Sequence, residues 1–470
     1  AAISEDDWDD AHLGFHRIRF RFAHDRVQQA ARSLCSAEEI AASHRKMAEL
    51  LLVHTDPQER ETRLFELVEH LNRSGEQTSV MTDAAQVRAL NVSAARRATR
   101  AAAFAPADVY YRKAVDLFDD GLWEHDYAEA FALHVEAARS AGLVGERETM
   151  ARLVAEARAH ARTPVDAVVA REVAMHGLMA EQKFGEALEL AKDLLAELGE
   201  PLPDPAEVPA EVGAIIELLA GLDGVDALER ASDPRVLAAQ RIRQGVMSTA
   251  YVSAPELFPL LPCAIIRSTM RNGITDHSAY GFAVFGMVLN ALDFIDLSFE
   301  TAKMARSILA KTDDHSNLAK TRHILNGHVE PFVLPLSESV DLERSVYEQG
   351  LDTGDLEYAA WALHLMVAHA FYSGMRLGAL RELDRKNGEL LEQMRQLPAH
   401  SCTQPFSQAI RNCIGEDVVS SSRLIRPEYH EDEQMDRLVG VGFRGAAYIL
   451  TVMRTFVRFL FRDVEGALRA

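Results

Sequence analysis

A recurring pattern of short turns, each followed by an amphipathic helix, constrains the fold of this 470-residue chain more than any other feature. After each turn, a small or medium-sized residue is followed by apolar residues about four and seven positions later, which marks one buried helix face. This pattern is typical of degenerate tetratricopeptide-type helix pairs, in which small residues let two antiparallel helices approach closely. A non-repeating helical bundle that shares turn chemistry by chance is the alternative. The turns fall at residues 102–107, 145–150, 182–187 and 374–379.

Proline-rich segments divide the helical pattern, because proline lacks a backbone N–H and restricts the residue before it. We expect breaks at 199–209, 330–335 and 397–405. The interpretation is one continuous α-solenoid with three regions. They are the end of a winged-helix-like segment with linking helices (1–80), a first TPR-like helical array (81–200) and a second array after the proline-rich break (201–470).

The opening of the chain contains a strand pattern that is almost absent downstream. Ile18, Phe20 and Phe22 alternate with arginines, which indicates a half-buried strand. A helical pattern begins a few residues later, with Asp25 as its predicted N-cap. The predicted fold class is therefore mainly α: an irregular TPR-like α-solenoid preceded by the end of a winged-helix element with a short strand pair.

Charge and hydropathy exclude some classes of partner. The net charge of −21 disfavours nucleic acid, which binds cationic surfaces. No apolar run approaches the roughly 18 residues that span a bilayer. The four cysteines are widely separated, as expected for reduced thiols in a cytoplasmic protein. The acidic start without an initiator methionine, and the uncapped final helix, indicate a fragment of a larger protein.

Motifs that carry chemistry are not recognisable in the sequence. It has no GxxxxGK[ST], HExxH or GxSxG motif. A GxGxxG at Gly440–Gly445 follows a helix-like segment rather than a strand, so glycines for close helix packing are the preferred interpretation. Histidines 315, 323 and 328 have gaps that do not place three imidazoles on one face of an α-helix, and residues 430–433 indicate a solvated acidic loop. We predict no catalytic residue, no metal site and no cofactor in this chain.

Several segments resemble one family in order along the chain: FRFAHDRVQQAARSL, LFELVEHLNRSG, LNVSAARRATRAAAFAPADVYYRKAVDLF, LGEPLPDP and GLDTGDLEYAAWALHLM. They are similar to the helical region that follows the P-loop ATPase module in bacterial STAND-type multi-domain signalling kinases. The resemblance implies that ATP or ADP binds an upstream ATPase module that is absent here. It also implies that His24 contacts the nucleotide phosphates, in the full-length protein only, where an imidazole N–H can donate to a phosphate oxygen.

The functional expectation is a non-catalytic regulatory and protein-interaction scaffold of a larger bacterial signalling ATPase or kinase. A protein or peptide partner would bind the helical array, and the array would couple sensing of that partner to the adjacent nucleotide-binding module. One alternative is a helical enzyme domain with a site that motifs do not show; another is a self-association platform. Three or more buried carboxylates in one pocket would favour the enzyme, whereas carboxylates spread over the surface would favour the scaffold.

Overall fold

The structure is a computed structural model that describes residue 30 and residues 33–74, 83–101, 103–222, 224–312, 317–416 and 419–470. Over these residues the protein is mainly α-helical, which confirms the predicted class, and it has one small antiparallel sheet. The strand pair predicted near the start, together with His24 and Asp25, lies outside the described residues. Within the described part, no helix combines the length and apolarity needed to cross a membrane.

The chain divides into two compact units, Ala1–Val144 and Gly145–Ala470. In the first unit, Ser36 begins the first described helix with a capping box, in which its hydroxyl accepts from Glu39 N–H while the Glu39 carboxylate accepts from Ser36 N–H. The apolar face of the third helix, formed by Leu64, Leu67, Val68 and Leu71, is buried. The helices are α1 (Ala37–His54), α2 (Pro57–Thr62), α3 (Leu64–Arg73), α4 (Ala84–Arg100), α5 (Phe104–Asp116), α6 (Leu122–His125) and α7 (Tyr127–Leu143).

The second unit contains the longer run of helices. Its first part comprises α8 (Arg147–Ala159), α9 (Pro164–Ala180), α10 (Phe184–Glu197), a 3₁₀ turn (Pro205–Glu207), α11 (Val208–Ala220), α12 (Pro234–Gly245), α13 (Met247–Ser253), α14 (Leu260–Asn272), α15 (Ser278–Ala291), α16 (Ile295–Lys311) and α17 (Leu318–Ile324). A π-helical turn (Leu325–Val329) and a 3₁₀ turn (Glu330–Phe332) follow. The remainder comprises α18 (Leu336–Thr353), α19 (Leu356–Tyr372), α20 (Leu377–Met394), α21 (Leu397–Ile414), β1 (Ile425–Arg426), β2 (Tyr429–His430), α22 (Glu431–Gly440), α23 (Arg444–Leu460) and α24 (Val464–Arg469).

Of the residues that follow the predicted turns, Ala107 and Ala187 are buried, whereas Ala379 is exposed. Ala187 has no exposed surface and lies in the hydrophobic core that α9 and α10 share with later helices. This first core runs from Val168 to Tyr358, so it contains residues on both sides of the proline-rich segment at 199–209. A second core runs from Val340 to Val457. The domain boundaries expected near residues 80 and 200 lie within the two units, and they stay predictions.

The predicted break at 397–405 is wrong. Helix α21 continues through this segment with Pro405 in its interior. A proline there removes one backbone hydrogen bond. Cys402 and Phe406, on either side of the proline, are buried in the second core, and their packing holds the helix together despite that loss.

The acidic loop expected at 430–433 is also different in the structure. Glu431 is fully buried at the start of α22, directly after the β1–β2 hairpin. Its carboxylate accepts from Arg423, 3.2 Å away, and from Arg458, and from the backbone N–H of Leu424 at 2.8 Å. The acidic segment 430–433 therefore contains one buried carboxylate. The sequence pattern does not indicate its burial, because the arginines that neutralise it lie outside the segment.

Candidate functional site

A cavity of about 450 Å³ lies inside the second unit. Its walls come from both hydrophobic cores: Met247 and Val284 belong to the first core, and Cys402 and Phe443 to the second. Most of the lining is apolar or aromatic. Among the described residues that line the cavity there is no Asp, Glu, Lys or Arg. A concave, mainly apolar space with a few polar side chains is the usual form of a small-molecule site.

Helix α19 forms one wall and belongs to both cores. Its sequence, LEYAAWALHLMVAHAFY, is apolar on almost all sides, as expected for a fully surrounded helix. Asp355 begins the helix by accepting from the backbone N–H of Tyr358 at 3.3 Å. Gly350 on α18 permits the close approach of the two helices, because a Cβ there would lie 2.8 Å from the Cβ of Ala359. This helix brings Tyr358, Trp361, His364, Ala368, His369 and Tyr372 to the cavity.

The π-helical turn brings two histidines together that the sequence did not place on one face. His323 and His328 have ring centroids 5.5 Å apart, and both line the cavity. Residues five apart are on different sides of an α-helix, whereas the wider i→i+5 turn returns them to the same side. Gly327 fits in this turn because a Cβ there would lie 2.3 Å from Leu365 Cδ1. His315 of the same sequence cluster lies outside the described residues.

Four histidines line the cavity, and burial keeps them uncharged. Desolvation of the imidazolium form lowers the pKa of His323, His328 and His364 to about 3, and that of His369 to about 4. Three of them are held at Nδ1. His364 Nδ1 lies 3.1 Å from Thr403 Oγ1, and His369 Nδ1 is hydrogen-bonded to Ser339. Hydrogen bonds at Nδ1 fix the ring orientations, so the cavity presents neutral imidazoles in defined positions.

The third anchored histidine is paired with a buried carboxyl group behind the cavity wall. His323 Nδ1 lies 2.8 Å from Glu343 Oε2, and both side chains are almost completely buried. Burial raises the pKa of Glu343 well above its ordinary value and lowers that of His323. The pair is therefore neutral, with one hydrogen bond between Nδ1 and the carboxyl group.

Two tyrosines form a buried hydroxyl pair at the cavity. Tyr280 on α15 and Tyr358 on α19 are hydrogen-bonded through their hydroxyl groups, and 2% and 7% of their surfaces are exposed. Burial raises the pKa of both tyrosines, so both hydroxyl groups keep their protons. Only one of these two protons is used in the bond between them. In the described part of the chain, neither hydroxyl has another hydrogen-bond partner.

The mouth of the cavity is marked by exposed tyrosines. Tyr251, Tyr372 and Tyr448 line the cavity while 51%, 51% and 71% of their surfaces are exposed. Tyr372 donates to Met453 Sδ at 3.7 Å. Large aromatic side chains with polar tips are suited to a boundary between water and an apolar interior.

Sequence reasoning found few of these residues. The proposed nucleotide contact, His24, lies outside the described residues and stays a prediction. The glycines of the GxGxxG fall in a helix–turn–helix rather than after a strand: Gly440 ends α22, Gly442 lies in the turn, and Gly445 is in α23 and lines the cavity. No group of three His, Cys, Asp or Glu is placed to hold a metal in the described part. A usable signal was present in α19, where two histidines occur in a helix that is almost entirely apolar after Glu357 in its first turn.

Comparison with known proteins gives one informative relative. No family model matches the chain. Hybrid signal transduction histidine kinase G of Dictyostelium discoideum is 22% identical over 453 residues, which covers 86% of this chain and 13% of that protein. The chain is thus similar to a small part of a much longer signal transduction protein.

Proposed function

We propose that this chain is a non-catalytic regulatory segment of a larger signalling protein, and that the cavity of its second unit is where it senses a small molecule. The cavity itself carries the proposal: about 450 Å³ of concave, uncharged, mainly apolar space with oriented imidazoles and a hydroxyl pair. A concave, mainly apolar space of this size with a few polar groups in fixed positions is typical of a small-molecule site.

The position of the cavity suits regulation. Helix α19 packs in both cores, and its side chains form the wall between them. A molecule that fills the cavity would favour the arrangement of the two cores in which the cavity is formed. Such a ligand shifts the equilibrium only by its difference in affinity for the two arrangements, which is the thermodynamic requirement for an effector.

The context of a signalling protein is supported by the relative. The matching histidine kinase is named for signal transduction, and the matched region is a small part of its length. The proposal therefore includes an adjacent nucleotide-binding module with ATP or ADP, contacted by His24, and a protein or peptide partner on the TPR-like array. Closely packed helix pairs with buried small residues support such an array.

The alternative of a helical enzyme receives no support from this cavity. That alternative requires several carboxylates in one pocket, and the described lining residues include none. The neighbouring carboxyl group of Glu343 is turned to His323 and is held neutral by burial. The cavity is better suited to binding than to acid–base chemistry.

The test is native mass spectrometry of the chain purified from its own host under non-denaturing conditions. We expect a bound small molecule in the wild-type protein. Ala368→Trp fills the cavity and should abolish the bound mass, and Met287→Trp is a second blocking variant from another helix. Ala196→Trp, at an exposed position, is the control and should keep it. A chain with no bound mass, or a bound mass that persists in both folded blocking variants, would contradict the proposal.

The regulatory part of the proposal has a separate test in the longer protein that carries this chain. Ala368→Trp should change the signalling output, measured as phosphorylation or nucleotide turnover, while Ala196→Trp leaves it unchanged. An identical output from the two variants would refute a regulatory role for the cavity.

A further inference from the structure

We infer that the cavity takes an uncharged, largely aromatic molecule that carries a hydrogen-bond acceptor such as a ketone or ester carbonyl, and that the Tyr280–Tyr358 hydroxyl pair donates to this acceptor. This inference rests on the proposed function, since it specifies the ligand of the same cavity. Its three parts are the absence of charge, the acceptor and the aromatic shape.

The lining favours an uncharged ligand. No described lining residue carries a formal charge, and Cys402 is a neutral thiol because burial raises its pKa to about 12. The ammonium group of Lys320 lies 5.6 Å from the centre of the Tyr358 ring, but it is paired with the Asp355 carboxylate at 3.4 Å. A carboxylate or ammonium group would lose its hydration in the cavity without gaining a counter-charge.

The tyrosine pair specifies the acceptor. Two hydroxyl groups carry two protons, and the bond between them uses one. The second proton has no acceptor among the described residues, although both side chains are buried. A buried donor without a partner is costly, so a ligand that supplies an oxygen acceptor would relieve that cost on binding. His328, whose ring makes no hydrogen bond within the described residues, offers a second polar contact at the same wall as His323.

The remaining walls favour a flat ring system. Phe258, Trp361, Phe406 and Phe443 line the space and provide faces and edges for aromatic contacts. A volume of 450 Å³ holds about 15 water-sized groups at about 30 Å³ each, which corresponds to a compact molecule of one or two fused rings with a short substituent.

Three matched probes test the inference by isothermal titration calorimetry with the complete chain. Acetylnaphthalene carries an uncharged acceptor. Isopropylnaphthalene has the same outline, with a methyl group in place of the carbonyl oxygen. Naphthoate has a charged carboxylate in place of the acetyl group. We expect acetylnaphthalene to bind most tightly, isopropylnaphthalene more weakly, and naphthoate at least about a hundredfold more weakly than acetylnaphthalene.

The variants assign the preference to the hydroxyl pair. In the double variant Tyr280→Phe/Tyr358→Phe, the affinity of acetylnaphthalene relative to isopropylnaphthalene should fall about tenfold, because the donor is lost while the ring surface stays. The control, Tyr347→Phe, removes a tyrosine hydroxyl at a half-buried position that is not among the lining residues, and it should leave the ratio unchanged. A ratio that is unchanged in the folded double variant would overturn the role of the pair.

A measurement without variants keeps the test independent of their folding. Donation to the probe lowers the infrared stretching frequency of its carbonyl group relative to the probe in an alkane solvent. An unshifted carbonyl band in the bound probe would overturn the claim that the ligand accepts a hydrogen bond in the cavity. Naphthoate that binds as tightly as acetylnaphthalene would overturn the claim that the ligand is uncharged. Equal binding of all three probes would refute the inferred preference for an uncharged acceptor but leave the proposed function standing. Binding of none of the probes would count against the inference and the proposed function alike.

Discussion

Gly350→Ala tests the close approach of α18 and α19 that forms one wall of the cavity. A methyl group at this position would lie 2.8 Å from Ala359 Cβ and 2.9 Å from the carbonyl oxygen of Asp355. Backbone atoms cannot turn aside, so the two helices must separate, and overpacking of this kind costs about 1–3 kcal/mol. The replacement also gains about 0.5–1 kcal/mol, because alanine is a better helix former than glycine.

Gly388→Ala is the matched control for this prediction. Gly388 lies inside α20, and a Cβ there would meet nothing within 4 Å. Both replacements gain the same helix preference, so the difference between their free energies of unfolding isolates the steric cost, about 1–3 kcal/mol. Urea denaturation followed by helical circular dichroism measures it, since both glycines lie in the second unit. Equal stabilities, or a more stable Gly350→Ala protein, would refute the packing argument.

The remaining predictions concern buried groups. Glu431→Gln should cost about 3–5 kcal/mol in thermal unfolding, because it leaves the buried Arg458 without its counter-charge, whereas Glu433→Gln at an exposed position should cost almost nothing. The free energy of unfolding should fall as the pH is lowered from about 7 to about 5.5. His364 binds a proton in this range when the chain is unfolded, but it stays neutral in the folded protein because burial lowers its pKa. His364→Gln should therefore reduce the slope of stability against pH in urea titrations. Ala187→Leu should lower stability by about 1–3 kcal/mol through overpacking, and an unchanged melting temperature relative to Ala196→Leu would contradict the assigned helix crossing.

Local patterns in the sequence predicted local structure well. The helix expected after the turn at 182–187 is present as α10, Phe184–Glu197. The small residue expected at a crossing, Ala187, has no exposed surface. Both depend on side chains within one or two turns of each other, so their physical cause is contained in the pattern itself.

Features that depend on distant residues were missed. Pro405 breaks no helix because packing in the second core outweighs its lost hydrogen bond, and Glu431 is buried because its arginine partners come from other segments. The closeness of His323 and His328 required a π turn, which a fixed period of 3.6 residues does not include. The cavity draws on residues from Met247 to Val452, so no single stretch of sequence reveals it.

Crystals of the complete chain grown with acetylnaphthalene provide the most direct test of the central claim, that the cavity is a small-molecule site. The account predicts density for the probe between the two cores of the second unit, with its carbonyl oxygen about 2.5–3.0 Å from a hydroxyl oxygen of Tyr280 or Tyr358. A cavity that is collapsed or filled only by ordered water, with the probe elsewhere or absent, would contradict it.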